Sequence, residues 1–210
     1  MANIFMGHFG IVLDELLKHI SIDTVLVENK PANEEVKRRC HKSNIRCFLV
    51  NNYEDILNIA KHIEYIELCI VASFGIILKQ SFISKCRYIV NFHPGDVDVC
   101  RGKHPLPAAI LNSHKTMGVT VHLINSEKID FGPILAKYLV PIDYTRSYKY
   151  NENKLIEAMR PLTSMLMKDY LNYGRFIAYD WDNTNSTYYK PLDKKTLGKL
   201  MNSDSLTCCL

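Results

Sequence analysis

Strand and helix alternate four times between Asn3 and Ala72, and this pattern constrains the fold more than any other feature of the chain. Asn3–Met6, Thr24–Val27, Arg46–Val50 and Leu68–Ala72 read as short apolar strands. Between them, Ile11–Ile20 has helical spacing, with Val12, Leu16 and Ile20 on one face. Pro31 opens a charged helix over Glu34–Ser43, and Glu54–Ile63 turns Ile56, Ile59, Ala60 and Ile63 inward. Leu68–Ala72 lacks polar alternation, as expected of a strand covered on both faces. The expectation is an α/β, Rossmann-like fold: a mostly parallel sheet with helices on both faces and right-handed crossovers.

Beyond Ala72 the pattern loosens. Ser73–Leu78 is an apolar loop, Gln80–Ser84 a short helix, and Tyr88–Val90 a buried strand that runs into Asn91, His93 and the breaker Pro94-Gly95. Pro105–Asn112 reads as a helix, Val119–Ile124 and Ile134–Val140 as strands, and Asn125–Pro133 as the loop between them. A long amphipathic helix spans Asn151–Tyr173, with a bend expected at Pro161. A short strand at Thr187–Tyr189 and a helix at Lys194–Met201 follow. This divides the chain into a core over 1–142 and an appendage of helix and hairpin over 143–210.

Composition removes several function classes. Of 210 residues, 47% are hydrophobic and 23% charged, which suits a soluble globular protein with a sizeable core. The net charge is +4 with Lys and Arg scattered, so no basic arm for nucleic acid is expected. No apolar run approaches the roughly 18 residues of a membrane span, and the N-terminus lacks the basic-then-apolar layout of a signal peptide. Seven cysteines without Cys-x-x-Cys spacing read as free thiols in a reducing cytoplasm. The terminal Cys208-Cys209-Leu210 does not fit a prenylation box. None of the eight histidines belongs to a metal-ligand unit, so no metal is expected, and His19, His41 and His62 fall on helix surfaces. Gly7-His8-Phe9-Gly10 is a tight strand-to-helix turn without a dinucleotide fingerprint, although its amides suit a phosphate.

Asn91 and His93 are one residue apart in a strand, so amide and imidazole face one common space near the strand's C-terminal end. Open α/β sheets carry their sites there. Asp130 lies on a Gly/Pro-bounded loop, after a strand expected to end near the same sheet edge, with His122 between. An amide, an imidazole and a carboxylate suffice for acyl transfer to an amine: two donors steady an oxyanion, while the carboxylate orients the ring and moves a proton. Capping of a turn by Asp130 is the alternative. Cys100 sits near this loop with nothing to depress its pKa.

Four blocks carry a resemblance. Asn91-Phe92-His93-Pro94-Gly95, Arg101-Gly102-Lys103-His104-Pro105, Gly118-Val119-Thr120-Val121-His122 and Asp130-Phe131-Gly132-Pro133-Ile134-Leu135-Ala136 together resemble the signature of the folate-dependent formyltransferases. The resemblance implies 10-formyltetrahydrofolate as formyl donor and Asn91, His93 and Asp130 as the catalytic set. It also implies that Phe74, Gly75, Ile76, Ile77, Leu78 and Ile129 hold the folate, with core packing as the alternative for the apolar side chains.

For the acceptor, the resemblance points to Gly7, His8 and Phe9 with Arg101, Gly102, Lys103, His104 and Pro105. The first turn lacks the Gly-Ser-Asn phosphate loop of the glycinamide ribonucleotide enzymes, and the Arg-Gly-x-x-Pro motif is similar to sugar and tRNA formyltransferases. The stretch after Pro141 is short for the β-barrel that methionyl-tRNA formyltransferase adds. Thr187-Tyr188-Tyr189-Lys190-Pro191 is similar to the tyrosine-rich hairpin of sugar N-formyltransferases, which implies a homodimer through the C-terminal region, with a stabilising hairpin on the monomer as the alternative. The expectation is an enzyme acting on a nucleotide-linked amino sugar, of the kind used in lipopolysaccharide or O-antigen synthesis. A phosphoribosylglycinamide formyltransferase and a silent folate- or nucleotide-binding module are the alternatives. Gly95–Cys100 departs from the family's usual sequence, and its acidic pair, Asp96 and Asp98, is expected either to reline the acceptor pocket or to swing outward.

Overall fold

Five strands run parallel in the computed structural model, which describes residues 1–30, 33–181 and 186–207. They are β1 (Ala2–Gly7), β2 (Thr24–Glu28), β3 (Arg46–Val50), β4 (Ile66–Ala72) and β5 (Cys86–His93), linked by α1 (Gly10–Leu16), α2 (Glu34–Lys42), α3 (Tyr53–Ala60) and α4 (Gln80–Ile83). A two-residue strand β6 (Arg101–Gly102) and α5 (Pro105–Leu111) lead to β7 (Thr116–Leu123) and β8 (Ile134–Pro141). The sheet order is β3-β2-β1-β4-β5-β7-β8, with β7 and β8 antiparallel to their neighbours. The mostly parallel α/β sheet is therefore as expected. Pro31 as helix opener, and the thiols of Cys208 and Cys209, lie outside the described residues.

Side-chain alternation divides the core in two. Phe5, Val25, Ile70 and Val90 face α1, α5 and α6 (Tyr148–Tyr173). Ile4, Leu26, Val71 and Ile89 face α3 and α4. Because β4 sits mid-sheet, every second residue is buried on each side, which is why it carries no polar alternation. The first helix stops at Leu16, short of Ile20, and Lys18 and His19 continue with tighter bonds to Glu15 and Leu16.

α6 begins earlier than the pattern suggested, capped by Ser147, whose side chain accepts from the Tyr150 amide. It runs unbroken past Pro161 to Gly174, which has φ +64°. This helix packs on α1 and removes His19 from the surface. The imidazole is 14% exposed, with Nε2 3.3 Å from Ser164 Oγ and 3.5 Å from Glu15 Oε1. β9 (Tyr188–Tyr189) pairs in parallel with β6 rather than folding back as a hairpin. α7 (Lys194–Met201) follows, capped by Asp193. Leu200 and Leu206 anchor this last segment in the same apolar cluster as α6. No helix among the described residues is long and apolar enough to cross a membrane.

Candidate functional site

Asn91 and His93 leave β5 on the Ile89 side of the sheet. Antiparallel β7 sets His122 opposite Asn91 and Thr120 opposite His93. The result is a polar stripe on one face of two strands whose other face, with Val90, Phe92, Val119 and Val121, is apolar core. Such a stripe is stable only if every polar atom finds a partner. Here a loop covers it in place of a helix: Thr120 Oγ1 donates to the Gly95 carbonyl at 2.8 Å and accepts from the Val97 amide at 3.2 Å. His93 Nε2 reaches the Cys100 carbonyl at 3.0 Å.

The route to Asp130 differs from expectation. β7 runs away from the C-terminal edge of the parallel strands and ends level with Val90, so the following loop has to return. Asp130 stands on the returning limb with φ +50°, a conformation that persists in a non-glycine residue only where neighbours enforce it. Its Oδ1 lies 3.4 Å from Asn91 Nδ2, 3.4 Å from His93 Nδ1 and 3.5 Å from His122 Nε2, and its Oδ2 accepts the Gly102 amide at 2.9 Å. Burial pushes the carboxyl up, but the charge of His93 and the hydrogen bond from the Gly102 amide win, holding it at about 2. It is therefore ionised.

Partners assign the rings. His122 Nδ1 donates to the Leu123 carbonyl at 3.0 Å, so its Nε2 accepts from Asn91 Nδ2 at 3.0 Å. Both nitrogens of His93 face acceptors, Nε2 a carbonyl and Nδ1 a carboxylate. Cys100 is buried, and burial with the nearby Asp96 charge pushes its thiol up to about 11.

Asn91, His93, His122 and Asp130 line a cleft of about 550 Å³. Its other walls include His8, Phe9, the loop Phe74-Gly75-Ile76-Ile77-Leu78, Ile129, and Gly102-Lys103-His104-Pro105. Gly7 and Arg101 do not line it. Gly7 is buried, and with φ +133° it lets the Ala72 carbonyl approach to where a Cβ would stand. Arg101 turns away to bond Ser186. Leu78 is 5% exposed and belongs to the core as well as to the wall. The Gly75 amide donates to Glu28 Oε2 at 3.0 Å, and Glu127 accepts from Gln80 N at 2.8 Å, which ties the two loops of the apolar end together. Burial lowers the pKa of His8, against its hydrogen bond to Ser73 and the Glu28 charge, and burial with the Lys103 charge lowers that of His104.

Sequence reading missed one wall of the cleft. Tyr148, Glu152, Leu155 and Ile156 of α6 and Leu197 and Met201 of α7 close the cleft on that side. Their i, i+4 spacing marks helices, but nothing local says which face meets a cleft. His122 meets Asn91 only through the antiparallel register of β7 on β5, which no local pattern in the sequence marks. Asp96 and Asp98 do not line the cleft: both pair with Lys137 of β8, Asp96 at 2.7 Å, and so point outward. Among the described residues no group of three or more His, Cys, Asp or Glu is arranged to hold a metal ion.

Residues 21–163 match the family model described as "Formyl transferase". A methionyl-tRNA formyltransferase of Thermotoga neapolitana is 32% identical over 130 residues, covering 61% of this chain and 41% of that protein. This chain spans about half the length of the curated relatives it matches. Among solved structures, WlaRD, a sugar 3N-formyl transferase crystallised with dTDP and 5-N-formyl-THF, superposes with a TM-score of 0.74 at 19% identity, over 90% of this chain and 69% of that one. The phosphoribosylglycinamide formyltransferase of Streptococcus pneumoniae TIGR4 gives 0.70 at 20% identity, over 81% and 99%. Those structures share the fold, and the family match takes in β2 through the first half of α6, including the whole polar stripe and its returning loop. On that extent of agreement, the chain belongs to the formyl transferase family.

Proposed function

We propose that this chain is a folate-dependent N-formyltransferase that moves a formyl group from 10-formyltetrahydrofolate to the primary amine of a nucleotide-linked amino sugar. In the same proposal it works in the cytoplasm as a homodimer joined through its C-terminal region. One observation carries the reading. Asn91, His93 and Asp130 sit between an apolar loop and a helical wall in one cleft of small-molecule size. A pterin needs a flat apolar wall with main-chain groups at its edge, and the Phe74–Leu78 loop with Ile129 offers both. The bound folate supplies the formyl group.

The chain's own residues divide the work. Asn91 Nδ2 and His93 Nδ1 are held by Asp130 only at 3.4 Å, which is long for charged partners, so an oxygen entering beside Oδ1 shares both donors. As the neutral amine attacks the formyl carbon, these donors steady the oxyanion. When the bond to the folate nitrogen breaks, that nitrogen takes up the proton the amine gives up, and tetrahydrofolate leaves. A carboxyl held at about 2 is a poor resting place for a proton. Asp130 therefore acts mainly by orienting His93 Nδ1 as a donor and by steadying positive charge on the amine.

An amino-sugar acceptor is supported by the fold shared with sugar N-formyltransferases over 90% of this chain, while the Arg101-to-Pro105 motif speaks only against glycinamide ribonucleotide. The sequence relatives favour a second acceptor, methionyl-tRNA. The deciding experiment supplies 10-formyltetrahydrofolate with a dTDP-linked amino sugar, glycinamide ribonucleotide or methionyl-tRNA. Formylation of the amino sugar is expected. Turnover of methionyl-tRNA alone would reassign the acceptor, and folate binding without turnover of any amine would leave a silent binding module.

A further inference from the structure

The Arg-Gly motif has no contact with the cleft through its arginine, yet Arg101 is fully engaged. Its Nε donates to Ser186 Oγ at 2.8 Å, its Nη2 to the Ser186 carbonyl at 3.4 Å, and its own amide to the Thr187 carbonyl at 3.0 Å. Its guanidinium lies over the Phe131 ring, 5.3 Å from the centroid. Phe131 follows Asp130 directly, and Gly102, which follows Arg101, gives its amide to Asp130 Oδ2. Gly102 itself is fixed by the β6–β9 pairing: its φ is +96°, and a Cβ there would come within 2.6 Å of the Tyr189 carbonyl. On the far side of the loop, Trp181 tilts against Phe131 and donates from Nε1 to the Gly132 carbonyl at 3.1 Å.

A left-handed aspartate reverts to an ordinary conformation unless its neighbours over-determine it. Part of this restraint comes from Trp181 and from Ser186 to Tyr189, far along the chain. We infer that Arg101 is a positioning residue, which locks the Asp130–Phe131 loop to the C-terminal segment and so sets the carboxylate against Asn91 and His93. A flat guanidinium suits both duties at once, stacking on a ring while donating sideways, and an ammonium cannot replace it.

The inference rests on the proposed transfer chemistry for its kinetic arm only. In the full chain, Arg101→Ala is expected to lower kcat about tenfold or more, with KM for folate within about twofold of wild type. Arg101→Lys should not restore it. Freed from its partners, the Asp130 carboxyl should titrate at higher pH in Arg101→Ala, read directly by carboxylate NMR and as an upward shift of the acid limb of kcat. Phe131→Leu should reproduce the effect, and the double variant should be little worse than either single one. A folded Arg101→Ala with unchanged Asp130 titration would overturn the inference, as would full rescue by lysine. If the wild type formylates no amine, the proposed function falls, while the NMR titration still decides the role of Arg101.

Discussion

The imidazole of His93 fills the space in which a side chain at Gly95 would stand. A Cβ on Gly95 would lie 2.4 Å from His93 Nε2 and 2.5 Å from Pro105 Cβ. Glycine is required there by its neighbours, since its own φ is not positive. Gly95→Ala should push the ring off the Cys100 carbonyl, lower kcat by about tenfold or more, and cost about 1–3 kcal/mol of stability as overpacking does. Steady-state kinetics and thermal melting on the same preparation check both.

Removing the reacting groups one at a time should be far more damaging. Asn91→Ala, His93→Ala and Asp130→Ala are each expected to lose about a hundredfold or more in rate while remaining folded. Near-wild-type turnover in His93→Ala would sink the proposed chemistry.

The acidic pair of the departing loop should leave acceptor recognition alone. Asp96→Asn with Asp98→Asn breaks the pairing with Lys137 and should cost about 0.5–1 kcal/mol of stability, a value typical of partly exposed ion pairs. KM for the acceptor should stay within about twofold of wild type. A large rise in that KM would return the loop to the acceptor site.

Acid stability offers a test without substrates. The Asp130 carboxyl is held at about 2 in the folded chain, below the roughly 3.9 of an unfolded aspartate. A depressed carboxyl stabilises the fold above the unfolded value, and this contribution is lost as pH falls from about 4 to about 2. It amounts to about 2 kcal/mol. Asp130→Asn lacks this contribution, so the stability gap between wild type and variant should narrow across that window in urea melts.

Much of the fold was legible because β1 to β5 and their helices repeat a periodic pattern that local chemistry enforces. The pairing of Asn91 with His93 was legible for the same reason, strand parity. What escaped depended on distant contacts. The antiparallel run of β7, and the return of its loop to bring Asp130 back, follow from pairing with β5 and leave no local mark. Arg101 looked like a ligand-binding residue in its motif, and only Ser186 and Phe131 reveal its direction. The outward turn of Asp96 and Asp98 required Lys137, a residue on another strand. His19 seemed a surface residue until α6 covered it.

The pairing of β6 with β9 joins Arg101 to Tyr188, 87 residues along the chain. Closure of so long a loop comes late in folding, after the sheet has supplied most of its contacts. As the chain emerges from the ribosome, the strands bearing Asn91 and His93 are complete well before Ser186 exists. The expected order is therefore an intact sheet with Asp130 still unset, followed by the full reactive geometry when the last segment docks.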